Sequence, residues 1–126
     1  ISRFLYDGFH MPFSDKTFDT GLLLYMLHHA QKPDVVLTEA RRVVKNNLII
    51  IEEFEDLDAN HTEEMDKEKQ AYTALGLKEN FYHNNLSQEY FHALLTNTKF
   101  NLVRTRELPT KTDKKLKKIL YIIQIK

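Results

Sequence analysis

Residues 11–54 read MPFSDKTFDTGLLLYMLHHAQKPDVVLTEARRVVKNNLIIIEEF, and the changes of character along them decide the fold. An apolar run, GLLLYML at residues 21–27, leads through a short polar loop into an amphipathic stretch and then a second apolar run, LIII at residues 48–51. From Asp34 to Lys45 the spacing is helical. Val36, Leu37, Ala40, Val43 and Val44 share one side, while Thr38, Glu39, Arg41, Arg42 and Lys45 take the other. Pro33 suits the first turn, where its missing N–H costs nothing. Asn46 and Asn47 offer the non-glycine side chain that most readily takes a left-handed helix stop. Leu48 to Ile51 is unbroken enough for a strand covered on both faces. Periodicity alone does not separate strand from buried helix over Phe18 to Leu27. Strand, helix, strand within about forty residues is nonetheless a βαβ unit, parallel with a right-handed crossover.

Working outward, Ile1 to Tyr6 reads as a strand and Asp7-Gly8 as a turn. After Ile51 the sequence turns acidic, from Glu52 through Glu68, and the bland reading of that run is a solvated face. Asn60 with Glu63 resembles a capping box, and a thinly apolar surface helix is expected from about Thr62 to Leu75, stopped at Gly76. Ser87 is a good N-cap for a helix through Asn97 that buries Phe91, Leu94 and Leu95. Phe100 to Leu108 and Lys117 to Ile125 read as an antiparallel hairpin at the sheet edge.

The 126 residues make a one-domain length, and a composition 42% apolar and 29% charged is that of an ordinary soluble globular protein. No stretch approaches the eighteen or so apolar residues of a membrane span. With no cysteine there is neither disulfide framework nor thiolate chemistry, which fits a cytoplasmic location. Zero net charge gives no general pull toward nucleic acid. The histidines show no metal-ligand spacing, so no metal site is expected.

Three separated blocks, MPFSDKTFD, the apolar run ending in LHH, and KPDVVLTEARRVVK, occur in the order and spacing of the middle section of class I S-adenosylmethionine-dependent methyltransferases. The resemblance is densest over residues 7–54 and weaker but continuous to Lys126. It implies a three-layer α/β Rossmann-like sheet, mostly parallel with a carboxyl-terminal antiparallel hairpin. Residues 1–126 would then form a partial domain, strand three to strand seven, lacking the first two strands. The resemblance also implies S-adenosylmethionine as cofactor and a small-molecule methyl acceptor as partner. Ile1 to Tyr6 would be strand three, and self-association through the open sheet edge is expected.

In doubly wound sheets ligands sit at the carboxyl ends of the strands, which brings Asp7, Tyr25 to His29 and Glu52 to Glu55 to one rim. The resemblance makes the Asp7 carboxylate the acceptor for the adenine amino group, with Gly8 and Phe9 against the ring; the alternative is a plain turn pair. It makes Leu23, Leu24 and Tyr25 backbone contacts to the cofactor's amino acid end; the alternative is core packing. One of His28 and His29 would face the methyl donor or the acceptor, the alternative being a helix-start residue bonded to backbone. Where the acceptor arrives protonated a base is needed, and His29 and then Glu53 are the candidates. Departures from the family pattern are plain. The only glycines are Gly8, Gly21 and Gly76, so there is no glycine-rich phosphate- or methionine-cradling loop. Asn46-Asn47 replaces Pro-Gly-Gly, and Lys99 stands where a glycine is usual. The competing reading from another class is a non-catalytic Rossmann-like binding or assembly module.

Overall fold

In a computed structural model describing residues 2–55, 62–77, 86–110 and 116–125, the quoted stretch is the expected βαβ unit. Strand β1 (Phe18–Leu24) leads through a short 3-10 turn (Leu27–His29) into helix α1 (Pro33–Val43) and strand β2 (Val44–Glu55). β1 and β2 pair in parallel, with Leu23 opposite Ile50 and Leu24 opposite Ile51. Helices α2 (Thr62–Ala74) and α3 (Gln88–Asn97) precede strands β3 (Asn101–Leu108) and β4 (Leu116–Gln124). The sheet order is β1-β2-β4-β3. β4 lies antiparallel to both β2 and β3. The carboxyl-terminal hairpin therefore extends the sheet with its last strand inside, as expected.

One face of this sheet carries the core. Leu23, Leu48, Ile50, Phe54, Ile119, Tyr121 and Ile123 pack with Val36, Leu37, Ala40 and Val43 of α1 and Phe91, Leu94 and Leu95 of α3, all buried. Phe91 anchors the junction, its ring 5.5 Å from Phe54 and 4.8 Å from Tyr121. The opposite face is apolar but open at β1, where Leu22 is 62% and Leu24 49% exposed. Gly21 sits where α1 runs into β2: an added Cβ would lie 2.7 Å from Val44 Cγ2 and 3.0 Å from Leu48 Cδ1. Gly21 thus marks a close approach within a strand.

Four expectations are corrected. First, residues 2–7 adopt no regular secondary structure, so the strand read over Ile1 to Tyr6 does not form among the described residues. The described sheet pairs no strand with that segment, and Phe4 and Leu5 stay exposed. Second, Asn46 and Asn47 do not stop the helix. α1 ends at Val43, Val44 is already extended, and both asparagines lie inside β2. The reason lies upstream: Lys16 donates its backbone N–H to the Arg42 carbonyl (2.8 Å), and its ammonium to those of Arg41 and Val44 (3.1 Å each). A cation satisfying the last carbonyls suits a helix carboxyl terminus, so no glycine-like stop is needed.

Third, Glu39 does not lie on a solvated face but is only 7% exposed. It accepts the Met11 N–H (2.7 Å) and two bonds from Arg42, Nε (2.9 Å) and Nη2 (2.6 Å). Arg42 in turn donates to the Phe13 and Met11 carbonyls and to Asp15. The hydrogen bonds and charge of Arg42 hold the Glu39 carboxyl down at about 2. This network straps residues 11–15 onto α1. Fourth, the acidic run does not begin with a solvated residue, because Glu52 is fully buried.

Other expectations hold. Pro33 opens α1, and the Ser87 side chain caps α3 by accepting from the Tyr90 N–H. α2 ends at a left-handed Gly76 (φ +72°), with the Leu77 N–H bonded to the Tyr72 carbonyl. The suggested Asn60 cap, the segment 78–85 and the loop 111–115 lie outside the described residues.

Lys99 explains its own departure from the family pattern. It takes φ +57° at the end of α3, where its N–H meets the Thr96 carbonyl and the Phe100 N–H that of Leu95. That is a position glycine fills without strain. Lys99→Gly is accordingly expected to stabilise the fold by about 1 kcal/mol. Gly21→Ala should destabilise it by about 1–3 kcal/mol, both read from denaturant midpoints at unchanged slope.

Candidate functional site

At the carboxyl end of β1 the chain makes a strained exit. Tyr25 takes φ +51° while its N–H remains in the ladder, bonded to the Ile51 carbonyl at 2.8 Å. For a bulky residue that is a costly conformation, of the kind held only where surroundings over-determine it. The 3-10 turn follows at once, and beneath it lies Glu52. Its Oε2 accepts the Leu27 N–H at 3.0 Å, and its Oε1 accepts His28 Nδ1 at 2.5 Å and the Glu53 N–H at 3.1 Å. The His28 side chain is 13% exposed and that of Glu52 not at all. Burial pulls the His28 imidazole down, but the hydrogen bond and charge of Glu52 outweigh it, with smaller help from Glu68 and Glu53, so the net shift is upward.

The neighbouring groups complete a charged cluster. His29 stacks obliquely on His28, ring centroids 4.1 Å apart, and its Nε2 lies 3.9 Å from Glu68 Oε2 of α2. Glu53 pairs with Lys118 of β4 at 3.2 Å, and the same ammonium lies 5.4 Å from the centre of the Tyr25 ring. Lys118 of β4 thus meets the acidic segment that follows Ile51. Tyr121, on the core face of β4, is pushed up by burial and by the Glu52 charge.

Sequence reasoning put Glu52 on the rim but gave it a solvated place and no role. Its signal was parity: Leu48 and Ile50 point into the core, so residue 52 must follow them while 53 turns away.

A family model described as a methyltransferase domain matches residues 3–51, which hold β1, α1 and most of β2. The chain has a class I methyltransferase fold. Solved structures agree. An S-adenosylmethionine-dependent methyltransferase from Methanosarcina mazei superposes with a TM-score of 0.64 at 18% identity, covering 94% of this chain and 64% of that one. One from Aquifex aeolicus gives 0.65 at 18%, covering 99% and 55%. The geranyl diphosphate C-methyltransferase of Streptomyces coelicolor, in complex with Mg2+, geranyl diphosphate and S-adenosyl-L-homocysteine, gives 0.65 at 8%, covering 97% and 52%. The chain therefore spans less than two thirds of each of these proteins. No curated protein matches it in sequence.

Within the methyltransferase fold the expected site residues separate into two groups. His28, His29, Tyr25 and Glu53 come together around Glu52. Asp7, Gly8 and Phe9 form a separate exposed turn. There Asp7 Oδ1 accepts the Phe9 and His10 N–H groups (2.8 and 2.9 Å), and these bonds, that from His10 foremost, hold its carboxyl below the ordinary range. Gly8 takes φ +87° in that turn. Leu23 is buried in the core, so only its backbone is open to a ligand role. Successive residues of a parallel strand direct their backbone groups to opposite neighbours. With the Tyr25 N–H bound to β2, the Leu24 backbone points to the other edge of β1.

Asp7 sets an acceptor carboxylate next to the exposed Phe9, whereas the rim carboxylates Glu52 and Glu53 are paired with His28 and Lys118. Nothing in the 126 residues supplies a glycine-rich loop for the methionine end.

The two buried pairs should titrate with opposite sign. His28 is raised above 6.5, so its stabilising contribution is complete below that pH and is lost as pH rises through the folded-state value. Glu39 is lowered from 4.5 to about 2, so its contribution is present above 4.5 and is lost as pH falls toward 2. Urea titrations of the protein against His28→Gln and Glu39→Gln, from acid to mildly alkaline pH, should show the first difference shrinking with rising pH and the second with falling pH.

Proposed function

We propose that the protein transfers a methyl group from S-adenosylmethionine to a small-molecule acceptor, residues 1–126 supplying part of the domain. The observation that carries the reading is the sheet order β1-β2-β4-β3, with β4 antiparallel, behind a rim of ionisable residues at the ends of β1 and β2. The cofactor, when bound, supplies an electrophilic methyl group on a positively charged sulfur. The chain's part is to hold and orient. Asp7 accepts the adenine amino group, Gly8 and Phe9 lie against the ring, and Leu24, between Leu23 and Tyr25, offers backbone to the amino acid end. His28 lines the same rim.

In-line displacement depends mostly on alignment of donor and acceptor, and a base is needed only for a protonated acceptor. Of the two candidates first read from sequence, Glu53 carries the Lys118 ammonium on its carboxylate, which opposes its use as a base. His29 stands over Glu68 at longer range. A small acceptor fits the open rim, and a fold neighbour's bound geranyl diphosphate is such a molecule. The alternative, a binding or assembly module without catalysis, draws on the open apolar face at Leu22 and Leu24. It leaves the buried Glu52–His28 pair without a use.

Titration calorimetry of the full-length protein with S-adenosylmethionine tests the reading. Binding at micromolar affinity supports it, and no binding sinks it in favour of the module. Asp7→Ala should weaken that affinity roughly ten-fold while leaving the fold intact, as for losing one hydrogen-bond acceptor. An unchanged affinity would return Asp7-Gly8 to a simple turn.

A further inference from the structure

Met11 is held through both of its backbone groups by one pair of side chains. Its N–H goes to Glu39 Oε1 at 2.7 Å, and its carbonyl accepts Arg42 Nη2 at 3.1 Å. The residue before it, His10, sets Nδ1 3.3 Å from the same Glu39 oxygen. The His10 backbone N–H, together with that of Phe9, reaches Asp7 Oδ1. Residues 7–11 therefore link a buried carboxylate on α1 to an exposed carboxylate in the turn. Upstream, the turn has less to hold it. Residues 2–7 form no regular secondary structure, and Leu5 is 99% exposed. One upstream contact, Phe4 edge-on to Phe13 at 5.1 Å, ends on a residue whose carbonyl Arg42 also holds. A carboxylate offers roughly four acceptor positions, of which the turn takes two at Oδ1. Where the others point is set by how Glu39 and Arg42 seat residues 10 and 11.

We infer that Glu39 and Arg42 are positioning residues for the adenine end of S-adenosylmethionine, acting through His10 and Met11 to aim the Asp7 carboxylate. The inference rests on the methyltransferase reading, with Asp7 as acceptor for the adenine amino group. Neither side chain touches the cofactor. Their part is to order the turn beforehand, so that binding loses no affinity in freezing it. A loose turn would still meet a purine through its ring, but would no longer tell an amino group from a hydrogen. One guanidinium reaches Glu39, Asp15 and the Met11 and Phe13 carbonyls at once, which the point charge of a lysine does not match.

The test is titration calorimetry of the full-length protein with S-adenosylhomocysteine and with its analogue carrying purine in place of adenine. The two ligands differ only by the 6-amino group. The unaltered protein should prefer the amino ligand about ten-fold, and Glu39→Gln should cut that preference to about two-fold. With Asp7→Ala already present, Glu39→Gln should change the affinity for either ligand little further. A merely structural strap would weaken both ligands alike. A preference unchanged in Glu39→Gln, or absent from the unaltered protein, would therefore overturn the proposal and leave the methyltransferase reading standing. Failure of the unaltered protein to bind either ligand would overturn both. Should Glu39→Gln not fold, the unaltered protein still decides, because coupling is reciprocal. Its Met11 amide, followed by hydrogen exchange at saturation, should be protected several-fold more by S-adenosylhomocysteine than by the purine analogue. Equal protection would overturn the proposal.

Discussion

The bidentate contact between Arg42 and Glu39 governs how the rest of the molecule is put together. The two residues are only three apart on α1, yet what they hold is the loop twenty-odd residues upstream. Glu39 takes the Met11 N–H while Arg42 takes the Met11 and Phe13 carbonyls and the Asp15 carboxylate. A planar guanidinium with five fixed donors suits this clustering of acceptors in a way an ammonium does not. With the loop strapped down, Phe13 meets Phe18 edge-on at 4.9 Å, and Lys16 reaches the end of α1. The start of β1, the end of α1 and the start of β2 are thereby fixed together.

This explains which parts of the fold were legible in the residues and which were not. The βαβ unit, the α3 cap at Ser87 and the carboxyl-terminal hairpin follow from local period and turn chemistry, and the chain obeys them. The helix end at Val43 does not, because its carbonyls are satisfied by Lys16, a residue no local rule connects to it. Glu39 hid for the same reason: its place among polar neighbours on a helix says nothing of a loop that will fold over it. Glu52 is different. Its burial was written in the alternation of β2, but a run of acidic residues invites the reading of a solvated face.

The site divides along a similar line. Family resemblance grouped residues from the ends of β1 and β2, and the structure sorts them by what they touch. Glu53 is engaged by Lys118, Leu23 is committed to the core, and His28 is bound to a carboxylate that water does not reach. A charge stored beneath an imidazole gives a rim a fixed polarity even before any ligand arrives.

The junction at Val43 and Val44 has a consequence of its own. Helix passes to strand with no intervening loop, and Glu52 lies eight residues further along the same unbroken strand. The one irregularity in its pairing with β1 lies at the start, where Phe18 faces Val44 and Thr20 faces Asn47; from Leu48 on the register is regular. One residue gained or lost between the Lys16 contacts and Glu52 would turn every following side chain of β2 to the opposite face. With a residue lost, Glu53 would go beneath the turn; with one gained, Ile51 would, and Glu52 would face Lys118. Changes of length, which loops in such folds absorb readily, are therefore costly between Leu48 and Glu52.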